Sequence, residues 1–300
     1  MSDSEIVIRE PRTYAEFDAI RQVQRAAFEM DPEGGLYVPF LVTAARNGGI
    51  VLGAFDGERL VGYIFSYLGR APDGQIKLVS QTMGVLSEYR GRGIATRLKL
   101  AQRERALAQG LSLITWTFDP LLSPNAHLNL HKLGGIVRIY ERNYYGEDFP
   151  GIYRGLPTDR FLVEWWIRSE HVVEQLRALE GGGRAEEDRA PPFGPERPLV
   201  THVEGEGTAQ RLAGYELGVD APEVWVEIPT DFLALKATDR ALARAWREGS
   251  RALFEHYFAR GYVAVDFQRW WEGERRRGAY RLWRPPTADP TAWHPSDLAA

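Results

Sequence analysis

The tightest constraint on this chain is the run Arg90-Gly91-Arg92-Gly93-Ile94-Ala95, because of what stands on either side of it. Before it, Lys77 to Leu86 packs β-branched and apolar residues closely enough to predict a strand. After it, Ile94, Leu98, Ala101, Arg105 and Ala108 recur at helical spacing, with Leu100 and Leu107 widening the apolar face. The glycines and arginines therefore fall in a tight strand-to-helix turn. Gly91 and Gly93 let the backbone bend and let a ligand come close. The first turn of a helix offers free N–H groups and a partial positive charge, and Arg90 and Arg92 add full charges suited to phosphate oxygens. The turn reads as a pyrophosphate cradle; the plainer alternative is an ordinary β–α turn with solvated arginines.

The flanking elements supply the context such a turn requires. Glu5–Arg9 reads as a short strand. Thr13 and Glu16 form a capping box for a helix whose apolar face is Tyr14, Phe17, Ile20, Val23, Ala27 and Phe28. Asp31 to Gly35 breaks it, and Leu36–Arg46 reads as a second helix. Ile50–Phe55 and Leu60–Leu68 form a hairpin around Asp56-Gly57. Past the cradle helix, Gln109-Gly110 is a helix stop, and Leu111–Phe118 is a strand apolar enough to be covered on both faces. Ser123-Pro124 opens a helix over Asn125–Leu133, and Ile136–Asn143 is a further strand.

Arg90-x-x-Gly93-x-Ala95, after a strand with an internal glycine, resembles the (Gln/Arg)-x-x-Gly-x-(Gly/Ala) signature of the GNAT family, the Gcn5-related N-acyltransferases. The element order over roughly residues 5–150 is similar to that family's topology. The resemblance implies an α/β (α+β) GNAT fold, with a mixed central sheet and helices on both faces. It also implies acetyl-CoA or another acyl-CoA as co-substrate, no metal, and direct transfer of an acyl group to an amine. In the family the pantetheine arm lies as a pseudo-strand between two splayed parallel strands, here Thr82–Val85 and Leu113–Phe118. The residues carried over to the acyl-CoA are Met83, Gly84, Val85, Arg90, Gly91, Arg92, Gly93, Ile94, Ala95 and Ser123. Gly84 marks either a bulge that opens the splay or a packing glycine. A backbone N–H near Met83 or Val85 would polarise the thioester carbonyl.

The chain departs from the family one helix later. The usual Asn-x-x-Ala-x-x-x-Tyr-x-Lys-Leu-Gly reads here as Ser123-x-x-Ala126-x-x-x-Leu130-x-Lys132-Leu133-Gly134. Leu130 stands where the family's tyrosine protonates the departing thiolate. A thiol's pKa of about 8.5 lets a thiolate leave near neutral pH without a full proton donor. The candidate acids and bases are His127, three residues before Leu130 on the same helical face, Tyr140 on the next strand, and Asp119 at the strand end. Structural histidine, packing aromatic and cap are their plainer readings. Arg138, Arg142 and Arg154 offer a carboxylate clamp or are surface arginines.

Beyond residue 150 the pattern changes. Phe161–Arg168 and Val224–Pro229 read as strands, Gly181–Pro198 as a loose linker, Ala241–Arg260 as a helix, and Tyr262–Phe267 and Ala279–Trp283 as strands. Helix end, glycine and strand at Ala259-Arg260-Gly261-Tyr262 repeat those at Ala108-Gln109-Gly110-Leu111. The expected organisation is thus a GNAT domain over 1–150 and a smaller α/β domain over 151–300, either a degenerate GNAT-like copy or a generic α/β joint.

Composition narrows the function. The net charge of −4 argues against a nucleic-acid binder. Absence of cysteine removes disulfides, thiolate metal sites and a cysteine acyl-enzyme. There is no apolar run long enough for a membrane span, and the polar, acidic start does not read as a signal peptide, so the expectation is a cytoplasmic enzyme. The expected activity is an acyl-CoA-dependent N-acyltransferase moving acetyl or succinyl to a small-molecule amine or amino acid, with a homodimer left open. Relatives of the branch this pattern resembles are associated with N-succinylation, which implies a D-amino-acid N-succinyltransferase as the specific alternative. A non-catalytic acyl-CoA-binding module is the rival class.

Overall fold

The protein is described by a computed structural model over residues 6–31, 33–147, 149–181 and 191–294. It divides into two compact units, unit 1 within 1–116 and 148–154, unit 2 within 117–147 and 155–300. The division falls after Trp116 rather than at the expected 150. Among the described residues no helix is long and apolar enough to cross a membrane.

Unit 1 begins with β1 (Val7–Arg9), α1 (Tyr14–Phe28), α2 (Val38–Arg46), β2 (Val51–Asp56) and β3 (Arg59–Arg70). It continues with β4 (Ile76–Val85), α3 (Ile94–Ala108) and the first four residues of β5 (Leu113–Phe118). Thr13 caps α1 by accepting from Glu16 N at 3.2 Å, and the Glu16 carboxylate accepts from Arg12 N at 2.6 Å, one residue before the position a capping box uses. Strands β1 to β4 are antiparallel neighbours in chain order, and β5 is parallel to β4. The core joins Ile20 and Val23 of α1 and Leu41 of α2 to Val51, Phe55, Tyr63 and Phe65 of the sheet. Each such side chain contributes about 1.5–3 kcal/mol when fully buried.

Unit 2 contains α4 (Ser123–Ala126), a π-helical turn His127–Lys132, β6 (Ile136–Glu141), β7 (Arg160–Trp166) and α5 (Glu170–Glu180). It then has β8 (Thr201–Glu204), β9 (Arg211–Tyr215), β10 (Glu223–Glu227), α6 (Phe232–Thr238), α7 (Arg240–Ala259), β11 (Val263–Glu272) and β12 (Arg275–Trp283). The helix expected over 125–133 is thus α-helical for one turn and π-helical for the rest. Elements α5, α6, β8 and β9 were not anticipated, although Ser169 caps α5 and Asp231 caps α6 through their side chains. Of the linker expected over 181–198, residues 182–190 lie outside the described residues.

The sheet of unit 2 runs β7-β6-β11-β12-β10 with every neighbour antiparallel. It is built twice over from one plan. A helix leads through a glycine joint into a bulged strand, and an antiparallel strand returns. In the first copy the π-helical turn leads into β6 and β7; in the second α7 leads into β11 and β12. The copies meet at Val137↔Ala264. Each bulges immediately after that residue, between Val137 and Ile139 and between Ala264 and Asp266. The π-helical turn packs on β11 and α7 packs on β6, so the packing is reciprocal. The joint at Gly261 also matches the one at Gly110. Both glycines have positive φ, 84° and 78°, and the next N–H reaches back to Tyr257 O at 3.1 Å and Ala106 O at 3.0 Å. The strands that follow differ, since β5 is parallel to its neighbour β4 and β11 is antiparallel to both of its own.

Candidate functional site

The cradle forms where Gly91 and Gly93 take φ of 79° and 72°, a region costly for residues with a Cβ. A Cβ built on either would meet nothing within 4 Å, so the space over the turn is open. Gly93 is the N-cap of α3 and gives it no side-chain cap. The N–H groups at the start of the helix, around Ile94 and Ala95, are therefore not claimed by a capping side chain. Tyr89 anchors the turn by donating to Asp56 Oδ2 at 2.7 Å, and the Arg92 guanidinium lies 5.0 Å from the Tyr89 ring centre. Arg90 is tied inward instead, donating to Ala27 O at 3.3 Å and to Val85 O at 3.4 Å. Of the two arginines, Arg92 is therefore the better placed for an anion.

Beside the cradle, β4 keeps one partner and parts from the other. Its parallel pairing with β5 covers Leu78↔Ile114 and Val79↔Thr115 among the described residues, whereas pairing with β3 continues to Val85↔Gly62. The β3 ladder shows why. Ser66 faces Ser80 and Phe65 faces Thr82, so Gln81 is an extra residue, a bulge where β4 parts from β5. Gly84 is therefore not the bulge. A Cβ there would stand 2.9 Å from the Tyr63 ring and 3.1 Å from Ala27 Cβ, so the glycine admits α1. Leu86 N donates to Val61 O at 2.9 Å. By the alternation of an antiparallel ladder, Gly84 also faces β3, and the peptide groups of Met83 and Val85 face the other way, into the slot.

The remaining candidates lie in unit 2. Asp119 is buried and held by Arg247 at 2.8 and 2.6 Å, with Arg160 at 3.8 Å. Burial works against its charge, but the guanidiniums outweigh it and hold the carboxyl below its usual range. Tyr140 donates to Asp159 Oδ2 at 2.6 Å, and burial raises its pKa. Arg251 braces the same Asp159 at 2.9 and 3.0 Å. His127 stacks on His131, ring centres 4.7 Å apart. Burial, then Arg269, His131 and Lys132, hold the His127 imidazole's pKa down to about 3, so it is neutral near pH 7. His131 pairs with Asp266 at 2.9 Å. These contacts tie Asp119 and Tyr140 to neighbouring side chains of unit 2 and hold His127 neutral within it. Leu130 and Ser123 are buried. Arg138 is held by Glu164 at 2.8 Å and Arg142 by Glu255 at 2.5 Å, so the arginine clamp is occupied internally.

Residues 17–134 match the sequence model of the acetyltransferase (GNAT) family. They are a GNAT acetyltransferase domain. Solved structures similar to the chain include an N-acetyltransferase from Staphylococcus aureus, 17% identical, covering 55% of this chain and 100% of that one at a TM-score of 0.44. A GNAT-family acetyltransferase from Streptococcus pneumoniae is 19% identical over 53% of this chain and 98% of its own, TM-score 0.42. The ribosomal-protein-S18-alanine N-acetyltransferase of Escherichia coli is 12% identical over 54% and 94%, TM-score 0.42. No curated protein sequence matches the chain.

Within the GNAT domain one polar cluster was missed by the sequence reading. Lys99 and Gln102 are buried on α3. Lys99 Nζ donates to Ser80 Oγ at 3.0 Å and Gln102 Oε1 at 3.3 Å, and lies 3.5 Å from the centre of a Trp116 ring. Gln102 Nε2 donates to Ser66 Oγ at 2.8 Å and Ser80 Oγ at 3.0 Å, and Ser66 Oγ donates to Ile50 O at 2.8 Å. The signal was in the spacing. The buried face of α3 is the series 94-98-102-106 with Lys99 beside it, and one polar residue on that series and one next to it disguised it.

Proposed function

We propose that the protein is an acyl-CoA-dependent N-acyltransferase that moves an acetyl or succinyl group directly to the amine of a small molecule or amino acid. One observation carries the reading: in a single unit, an uncapped helix N-terminus with open space above Gly91 and Gly93 adjoins a slot opened by the Gln81 bulge. The residues fit acyl-CoA in kind, with a cradle for its diphosphate and a strand edge for its amide-bearing arm. That co-substrate supplies the acyl group as a thioester. In the reaction the amine nitrogen bonds to the acyl carbon, the C–S bond breaks, the sulfur keeps the electron pair as a thiolate, and the ammonium proton passes to water.

The chain's residues do the rest. Around Ile94 and Ala95, N–H groups hold the diphosphate with Arg92 beside them. An N–H of Met83 or Val85 meets the carbonyl oxygen as it gains charge. A polyanionic acceptor fits poorly with the net charge of −4.

The test is thiol release with acetyl-CoA and succinyl-CoA against L- and D-amino acids and polyamines. Turnover above background with one donor supports the transferase and names the acyl group. CoA binding without release across the panel would instead support a non-catalytic acyl-CoA-binding module, a reading favoured by the buried Leu130 and the internally engaged Asp119 and Tyr140.

A further inference from the structure

We infer that Lys99 and Gln102 are positioning residues for the acyl-CoA arm: from the buried face of α3 they pin the β4 bulge, and so hold the slot along Met83 and Val85 open in fixed relation to the cradle. The inference rests on the reading that the arm occupies this slot.

The geometry is specific to the bulge. Ser66 and Ser80 are the last opposed pair before the extra residue Gln81. Gln102 bonds both hydroxyls, and Lys99 bonds that of Ser80. A bulge leaves a ladder locally disrupted and more twisted, so its position needs holding from outside the ladder. Here the side chains that hold it come from the helix whose first turn forms the cradle. Lys99 lies five residues after Ile94, about 7.5 Å along the axis. One rigid element thus touches both the diphosphate end and the root of the slot. Leu78 and Ile114, paired in the same sheet, are fully buried. An apolar pair at 99 and 102 would therefore fit the surroundings and avoid the cost of burying an amine and an amide. The polar choice makes sense if the hydroxyls of Ser66 and Ser80 must be held at one place. The Lys99 amine has a hydroxyl, an amide oxygen and an indole face around it. Burial pushes its pKa well below the usual lysine range.

The test is calorimetric titration of the full chain with CoA, which spans cradle and slot, and with ADP, which reads the cradle alone. Lys99→Met should weaken CoA binding about tenfold, the size of losing one or two hydrogen bonds, and leave ADP binding within about twofold. Ser80→Ala removes the shared hydroxyl without adding volume, so it covers the case in which Lys99→Met does not fold. It should shift the CoA-to-ADP ratio the same way by about threefold. Arg92→Ala, as a cradle control, should weaken both ligands together. Equal loss of CoA and ADP in the Lys99 and Ser80 variants, or no loss of either, overturns the positioning role alone. Failure of the wild-type chain to bind CoA overturns the acyl-CoA reading and this inference with it.

Discussion

The β4 edge of unit 1 and the β6–β11 seam of unit 2 are both built on bulged strands, yet they bury polar groups in opposite ways. Behind the Gln81 bulge stand two hydroxyls, an amide and an amine, joined by hydrogen bonds with no carboxylate among the named partners. Around the twin bulges of unit 2 stand carboxylates held by arginines and a histidine. Arg138 meets Glu164 and His131 meets Asp266, while Arg247 and Arg251 of α7 lock onto Asp119 and Asp159. In unit 2 each bulged strand has neighbours on both sides, and its helices pack reciprocally across the two copies. In unit 1 the bulge ends a pairing and leaves an edge for something else to use. The lesson is that charge pairs serve where a seam must stay shut. A cluster of hydroxyls, an amide and an amine serves where a strand must hold a set position and still keep one edge open.

The largest break in that contrast is expected at Asp119. Asp119→Ala leaves the Arg247 guanidinium buried and uncompensated, and should lower the unfolding free energy by about 3–5 kcal/mol in denaturant titrations. Because the folded carboxyl sits below its usual range, its contribution is present above about pH 4 and is lost as the pH falls below it.

Next comes His127. Its folded pKa of about 3 lies below the unfolded value of about 6.5, so the unfolded chain binds the extra proton between those limits. Stability should be full above about pH 6.5 and fall by up to about 1.4 kcal/mol per unit on acidification. Between pH 6.5 and 4, His127→Asn should flatten that slope; a slope unchanged in the variant would remove His127 as its source.

A third, smaller effect tests unit 1. Gly84→Ala forces its Cβ against Tyr63 and Ala27 and should cost about 1–3 kcal/mol, read as a lowered thermal midpoint. The last sharpens the contrast most. Lys99→Met should leave stability unharmed or raise it by about 1 kcal/mol at pH 7, since it ends the burial of an amine. A Lys99→Met protein that loses several kcal/mol would show that the unit 1 cluster bears stability just as the unit 2 pairs do.

How far the fold could be read from the chain depended on distance along it. The cradle helix, the Asp56-Gly57 hairpin and the strand before Arg90 were legible because their signals lie within a few residues of one another. Of the two readings open for Gly84, bulge or packing glycine, the structure keeps the second, and the bulge lies at Gln81. A glycine is visible in a sequence, whereas an extra residue in a ladder appears only when Ser66 is set against Ser80. The polar series on α3 was misread because a buried lysine and glutamine look like a solvent face. The glycine joint at Gly261 was legible, and its likeness to the joint at Gly110 holds in φ and in the closing hydrogen bond. The structure pairs the helix-to-strand step at Gly261 with the one at Gly134-Gly135, since the strands that follow those two meet at Val137↔Ala264.

By itself the sequence determined the strand–turn–helix at residues 77–108 and the GNAT resemblance it carries. Helical spacing and the left-handed turns that glycine permits are local properties of the chain. Only the tertiary structure decided which polar groups would be engaged. Asp119 finds Arg247 across 128 residues, and His131 finds Asp266 across 135. A side chain's chemistry at such a site follows from partners and burial that no window of sequence contains.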